Sequence, residues 1–304
     1  MVEIFIAVAP VFALICTGWA LARWLRALDT FWAGAEYITY HLFFPALLFH
    51  NALRVDLDAA ATGSAVAVSV LAVSVMAAGV ALLVRVRPAW PRSVAGAVLQ
   101  GSIRPNTYIA LGLADAVLGT AGVSLMALCV AAVVPTVNII SVVGLSHLGT
   151  GRVGATSILK AVATNPLILA SGAGVLINAL DVSLPRTGLD FVATVAAPAL
   201  VLGLMTVGAA LARPGDPAHR PDVALSSLLK LAGVPGVALA FAWALGLDDL
   251  ALAVVVLYAA MPASPSSYVL AVKMKSDVRL TATLITTQTV ISFVSLTLLT
   301  ALLR

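Results

Sequence analysis

Apolar positions in this chain run in long blocks, with polar and charged residues gathered between the blocks rather than alternating inside them. The blocks lack the one-sided stripe of a soluble helix and the period-two alternation of a barrel strand, which would be about half as long. A helix needs roughly 20 apolar residues to cross the hydrocarbon core of a bilayer. On that criterion ten transmembrane helices are predicted, at about residues 3–22, 33–53, 60–84, 94–114, 119–146, 156–180, 189–212, 224–246, 250–272 and 279–302. The expected fold class is an all-α polytopic membrane protein.

Composition agrees and narrows the function. Hydrophobic residues make up 62% of the 304 positions and charged residues 10%, against about a quarter charged in soluble domains. A water-soluble globular enzyme and a nucleic-acid-binding module are excluded. The net charge of +4 does not indicate a polyanion partner, because basic residues of membrane proteins collect in cytoplasmic loops. Cys16 and Cys129 lie far apart inside apolar blocks and read as small packed hydrophobes. Glu3 precedes the first block, which therefore does not resemble the basic start of a cleaved signal peptide.

Ten helices place both termini on one side, and the basic residues choose which. With the termini outside, the cytoplasmic loops and flanks hold Arg23, Arg26, Arg85, Arg87, Arg92, Arg152, Lys160, Arg213, Arg220, Lys230, Lys273, Lys275 and Arg279. The other side holds Arg54, Arg186 and Arg304, a bias of 13 to 3. By the positive-inside rule both termini are expected on the non-cytoplasmic side of the cell (inner) membrane. Arg104 is left inside a span, where an ionised group is costly and by default functional.

Five helices per half require any internal repeat to be inverted. Pro45-Ala46-Leu47 and Pro198-Ala199-Leu200 correspond at an offset of 153 residues, Pro10 and Pro166 at 156, and Tyr108 and Tyr268 at 160. The expected units are residues 1–150 and 151–304. The fourth span carries Arg104-Pro105-Asn106-Thr107-Tyr108, and the ninth carries Met261-Pro262-Ala263-Ser264-Pro265-Ser266-Ser267-Tyr268. Proline removes a backbone bond within a helix, and Asn, Ser and Thr are capping residues for a new helix start. Both spans are therefore predicted to be broken near the midplane. Paired broken helices in corresponding places of inverted halves point to a transporter site. The half-helix after each break would present its N-terminus there, and with Arg104 this forms an anion-attracting centre.

These residues resemble the auxin efflux carrier family, which includes the plant PIN-type auxin exporters and bacterial malonate-permease-like carriers. The likeness rests on residues 43–53 (FFPALLFHNAL), 104–114 (RPNTYIALGLA), 165–185 (NPLILASGAGVLINALDVSLP), 259–298 (beginning AAMPASPSSYVLAVKMKSD) and PTVN at 135–138. The resemblance implies a scaffold of helices 1, 2, 6 and 7, often dimeric, and a moving transport domain of helices 3–5 and 8–10. It implies alternating access of an elevator type, with substrate where helices 4 and 9 cross. Asn106 matches the family's crossover asparagine, and Pro105 and Pro262 match its crossover prolines. Tyr108 stands where bacterial members commonly have glycine.

The candidate substrate-binding residues are Arg104, Pro105, Asn106, Thr107, Tyr108, Asn138, Pro262, Ser264, Ser266, Ser267 and Tyr268. Arg104 can bind a carboxylate or cap carbonyls freed by the break. Asn106 can cap a half-helix, bind substrate, or do both. Asn138 can bridge helices or line the cavity. His41 and His50, flanking Pro45, can titrate near neutrality or make interhelical hydrogen bonds. No buried carboxylate pair forms an obvious ion site, and no cofactor, metal or catalytic residue is implied. The expected activity is secondary transport of small organic anions. A membrane ligand or sterol sensor using the same fold is the alternative, and an enzyme is not expected.

Overall fold

The computed structural model describes residues 2–25, 29–53, 59–87, 90–148, 163–212, 220–273 and 275–302. Arg26, Arg54, Asp56, Asp58, Arg152, Lys160, Arg213, Arg304 and the first part of the expected sixth span lie outside the described residues.

The described chain is helical, and its one β-type contact is an isolated bridge. The helices are α1 (Val2–Trp24), α2 (Asp29–Ile38), α3 (Phe44–Ala52), α4 (Ala59–Val86), α5 (Arg92–Ile103), α6 (Thr107–Leu148) and α7 (Pro166–Ala179). There follow α8 (Arg186–Ala196), α9 (Pro198–Leu211), α10 (Arg220–Leu228), α11 (Val234–Ala244), α12 (Asp249–Ala259), α13 (Ser266–Lys273) and α14 (Val278–Leu302). A π-helical turn at Thr39–Phe43 joins α2 to α3, and another at Leu229–Gly233 joins α10 to α11. Gly119, at φ 63° and ψ −164°, turns the chain within α6. That positive φ costs glycine little.

Among the described residues, five stretches are long and apolar enough to cross a membrane: Thr62–Val86, Thr107–Ser141, Arg186–Leu211, Arg220–Ala244 and Val278–Leu302. The surface agrees, with large apolar side chains such as Leu176, Phe191, Trp243 and Val294 more than half exposed. Water would not tolerate such a surface, but lipid does. The protein is a multi-pass membrane protein.

Helix ends follow local chemistry. Asn165 caps α7 by accepting from the N–H groups of Leu167 and Ile168, with Pro166 in the first turn. Pro10, by contrast, lies inside α1. The two prolines matched in the sequence thus occupy different local settings. Asp248 caps α12 and Asp277 caps α14 in the same manner as Asn165.

Packing is closest where glycine removes a side chain. α1 lies along α9, with Gly18 against the backbone of Met205 and Gly208 against the backbone of Ile15. α3 packs on α7, where a Cβ on Gly174 would stand 2.8 Å from the Phe49 carbonyl oxygen. Small residues permit such backbone approach between membrane helices. α4, α5, α6, α11, α12 and α14 pack together around a core that includes Val68, Ile103, Met126, Val254 and Leu284.

Candidate functional site

The site is built on two helix breaks that face one another. Pro105 has no N–H, so the Gly101 carbonyl cannot be paired four residues ahead, and α5 stops at Ile103. The residue before a proline is pushed out of the helical region, and Arg104 is extended at φ −83°, ψ 108°. Pro262 acts likewise beyond α12, which ends at Ala259. The two extended segments run antiparallel and bridge at Pro105 and Ala263. Asn106 N–H donates to the Pro262 carbonyl at 2.8 Å, and Ser264 N–H donates to the Arg104 carbonyl at 3.1 Å.

One side chain satisfies both breaks. Gln288 on α14 donates from Nε2 to the freed Gly101 carbonyl at 3.1 Å and accepts at Oε1 from Ala263 N–H at 3.0 Å. Its Nε2 also lies 3.5 Å from Ser226 Oγ, which pairs with Ser102 Oγ at 3.1 Å.

Arg104 is 7% exposed. Its guanidinium donates to Asn138 Oδ1 at 2.8 Å and to Ser266 Oγ at 3.0 Å. It therefore meets side chains across the break, while the freed Gly101 carbonyl is taken by Gln288. Ser266 Oγ lies 2.9 Å from Ser264 Oγ, which continues the polar chain. The Arg104 Nε atom is buried without a partner among the described residues.

Asn106 caps α6, its Oδ1 accepting from Tyr108 N–H at 3.1 Å and Ile109 N–H at 3.2 Å. Its Nδ2 and the Ser267 hydroxyl are buried and unpartnered among the described residues.

A cavity of about 30 Å³ lies against these groups, lined by Arg104, Pro105, Thr107, Tyr108, Ser264 and Ser266 from the breaks. Tyr40, Phe44, Val134, Val137 and Leu167 close it. That is room for about one or two water molecules. Tyr108 forms part of the wall, edge-on to Phe44 with ring centroids 4.8 Å apart and packed over Gly203.

Six of the eleven candidate residues thus line one cavity. Asn138 reaches it through Arg104, and Asn106 and Pro262 join the two breaks without lining it. Ser267 and Tyr268 lie on α13 outside the lining. His41 is exposed, bonded through Nδ1 to the Tyr37 carbonyl and stacked on the Tyr37 ring.

One expectation is corrected. Lys230, counted in the sequence as a cytoplasmic anchor, is fully buried and donates to the Ala259 carbonyl at 2.9 Å. Arg104 is therefore not the one basic side chain at depth. Ala259 would pair with the N–H of Ala263 in a continuous helix, but that N–H is held by Gln288. The break creates the vacancy that the lysine fills. Tyr40, Asn165, Gln288 and Lys230 were all passed over in the sequence. A lone Gln within an apolar block was the one available signal.

Residues 150–300 match a protein family described as membrane transport protein. That stretch is similar to the auxin efflux carrier family domain. The matched part of this carrier domain contains Pro262, Ser264, Ser266, Ser267, Tyr268, Gln288 and Lys230. Members of that family are membrane transporters. No curated protein matches the chain.

Proposed function

We propose that the protein is a secondary transporter of small organic anions, taking carboxylates of the auxin-like or malonate-like class at the crossing of its two broken helices. The observation that carries this is the convergence of two helix starts and the Arg104 guanidinium on one small cavity. α6 begins at Thr107 and α13 at Ser266, and both residues line it. Each start carries about half a positive charge. The Arg104 fork adds a full charge with bidentate geometry suited to a carboxylate.

In this reading the chain has ten spans in two inverted repeats, 1–150 and 151–304, with both termini outside the inner membrane. Its pairwise packing supports the symmetry. α1 against α9 is matched by α3 against α7, and α5 against α14 is matched by α6 against α12. The first, second, sixth and seventh of the ten spans form a scaffold, shared between two copies in a homodimer. The broken helices and their neighbours move against it as an elevator. Tyr40, Phe44 and Leu167 come from the scaffold side of the cavity, and the breaks come from the moving side. A space of about 30 Å³ is too small for a dicarboxylate, so the arrangement is a closed one that opens when the two sides part.

The test is flux in proteoliposomes with a panel of labelled mono- and dicarboxylates and auxin-like acids. The expected result is saturable uptake of at least one anion, absent from protein-free vesicles. No flux and no binding for any of them would overturn the transporter reading in favour of a membrane sensor.

A further inference from the structure

Lys230 is 0% exposed and bonded to a main-chain carbonyl, in the π-helical turn between α10 and α11. An ammonium ion held in this way is costly unless its charge serves a purpose. The carbonyl it meets, Ala259, closes α12, where the aligned peptides leave about half a negative charge. Five residues further on, Ser264 lines the cavity. The lysine thus holds the end of α12, a few residues before the lining of the candidate anion site.

The elements against this turn hold no carboxylate near it. α5, α10, α11 and α14 pack on it, Met76 of α4 reaches Gly233 within it, and α12 supplies the carbonyl. Their ionisable groups are Arg85, Arg92, Arg220, Asp222, Asp249 and Arg279, all in a first or last turn, together with the buried Tyr258; α11 has none. Asp222, the nearest carboxylate in sequence, is eight residues from Lys230, about 12 Å along a helix axis. Among the described residues the amine has no carboxylate partner, so an anion in the cavity would add a full negative charge that favours its protonated form.

We propose that Lys230 is the proton-carrying residue of the transport cycle. Its neutral amine takes up one proton from water as a carboxylate enters the cavity, and returns it to water as the carboxylate leaves. Both forms keep an N–H to give to Ala259, so the bond at the break survives the change and only the charge differs. By linkage, an anion that favours the protonated lysine must bind more tightly when the lysine is protonated. The result is symport of a proton with the anion. The inference rests on the anion-transport reading above.

The experiment uses the full chain in proteoliposomes enclosing a pH-sensitive dye, with each carboxylate of the panel imposed as a gradient and protein-free vesicles subtracted. Wild-type protein is expected to acidify the lumen by about one proton per anion, because a single group carries it. Lys230→Arg fixes the charge, so anion flux should continue while protein-dependent acidification disappears. Lys230→Met should lose anion affinity about tenfold or more together with acidification. Wild-type anion flux without proton movement, or an unchanged proton-to-anion ratio in Lys230→Arg, would overturn the proposal and leave anion transport standing. Absence of anion flux in the wild type removes the transport reading and this inference with it. A wild-type ratio of zero overturns the proposal even where a variant fails to fold.

Discussion

Gln288 accepts the Ala263 N–H at 3.0 Å while the same amide group gives a hydrogen to the Gly101 carbonyl at 3.1 Å. Both orphaned groups exist because a proline sits nearby, and one side chain from α14 closes both. The pairing ties the two breaks to one side chain. Replacement by Leu leaves a buried donor and a buried acceptor unpaired, at about 1–3 kcal/mol each. Gln288→Leu should therefore lower the thermal midpoint in detergent markedly. Gln288→Glu should hold Ala263 but lose Gly101, giving an intermediate value. A midpoint equal to wild type for Gln288→Leu would show that the bridge contributes nothing.

Arg104 offers a charge and a fork at once. Arg104→Gln should raise the apparent KM for a carboxylate about tenfold or more, because a buried charge-assisted contact is worth about 1.5–3 kcal/mol. Arg104→Lys keeps the charge without the fork and should fall between. Uptake kinetics at matched expression test this, and unchanged uptake by Arg104→Gln would refute a binding role.

The two ends of the Asn106 amide do different work. Its oxygen caps α6, and its nitrogen is buried and unpartnered among the described residues. Asn106→Asp retains the cap and should keep the thermal midpoint near wild type. If the nitrogen meets substrate, the same variant should lose most uptake. Asn106→Ala should lose both, with about 1 kcal/mol of stability from the cap. Full uptake by Asn106→Asp would confine the residue to capping.

Gly203 carries the ring of Tyr108, to which an added Cβ would come within 2.5 Å. Gly203→Ala should push that ring into the cavity or away from Phe44. The expected outcome is reduced uptake with expression retained. Gly208→Ala instead meets the backbone of Ile15, which cannot rotate away. It should cost about 1–3 kcal/mol by overpacking, read as a lower thermal midpoint with the site untouched. Equal effects of the two changes would contradict this division.

The sequence determined what depends on neighbours along the chain. Blocks of apolar residues specify membrane helices, because backbone groups in lipid must be satisfied within their own segment. Pro105 and Pro262 specify breaks, because a missing N–H frees the carbonyl four residues back whatever else surrounds it. Asn106 and Ser264 stood out for the same local reason. The tertiary structure alone decided how the freed groups are satisfied. That Gln288 lies against both breaks, that Asn138 meets Arg104, and that Tyr40 and Leu167 wall the cavity all depend on which helix faces are apposed. Lys230 makes the difference plain: its chain position near a basic helix start reads as an interfacial anchor, while its place in a π-helical turn packed among α5, α10, α11 and α14 and bonded to the end of α12 seals it inside. A residue's depth follows from the packing of the faces around it, and a linear pattern of charges does not contain that.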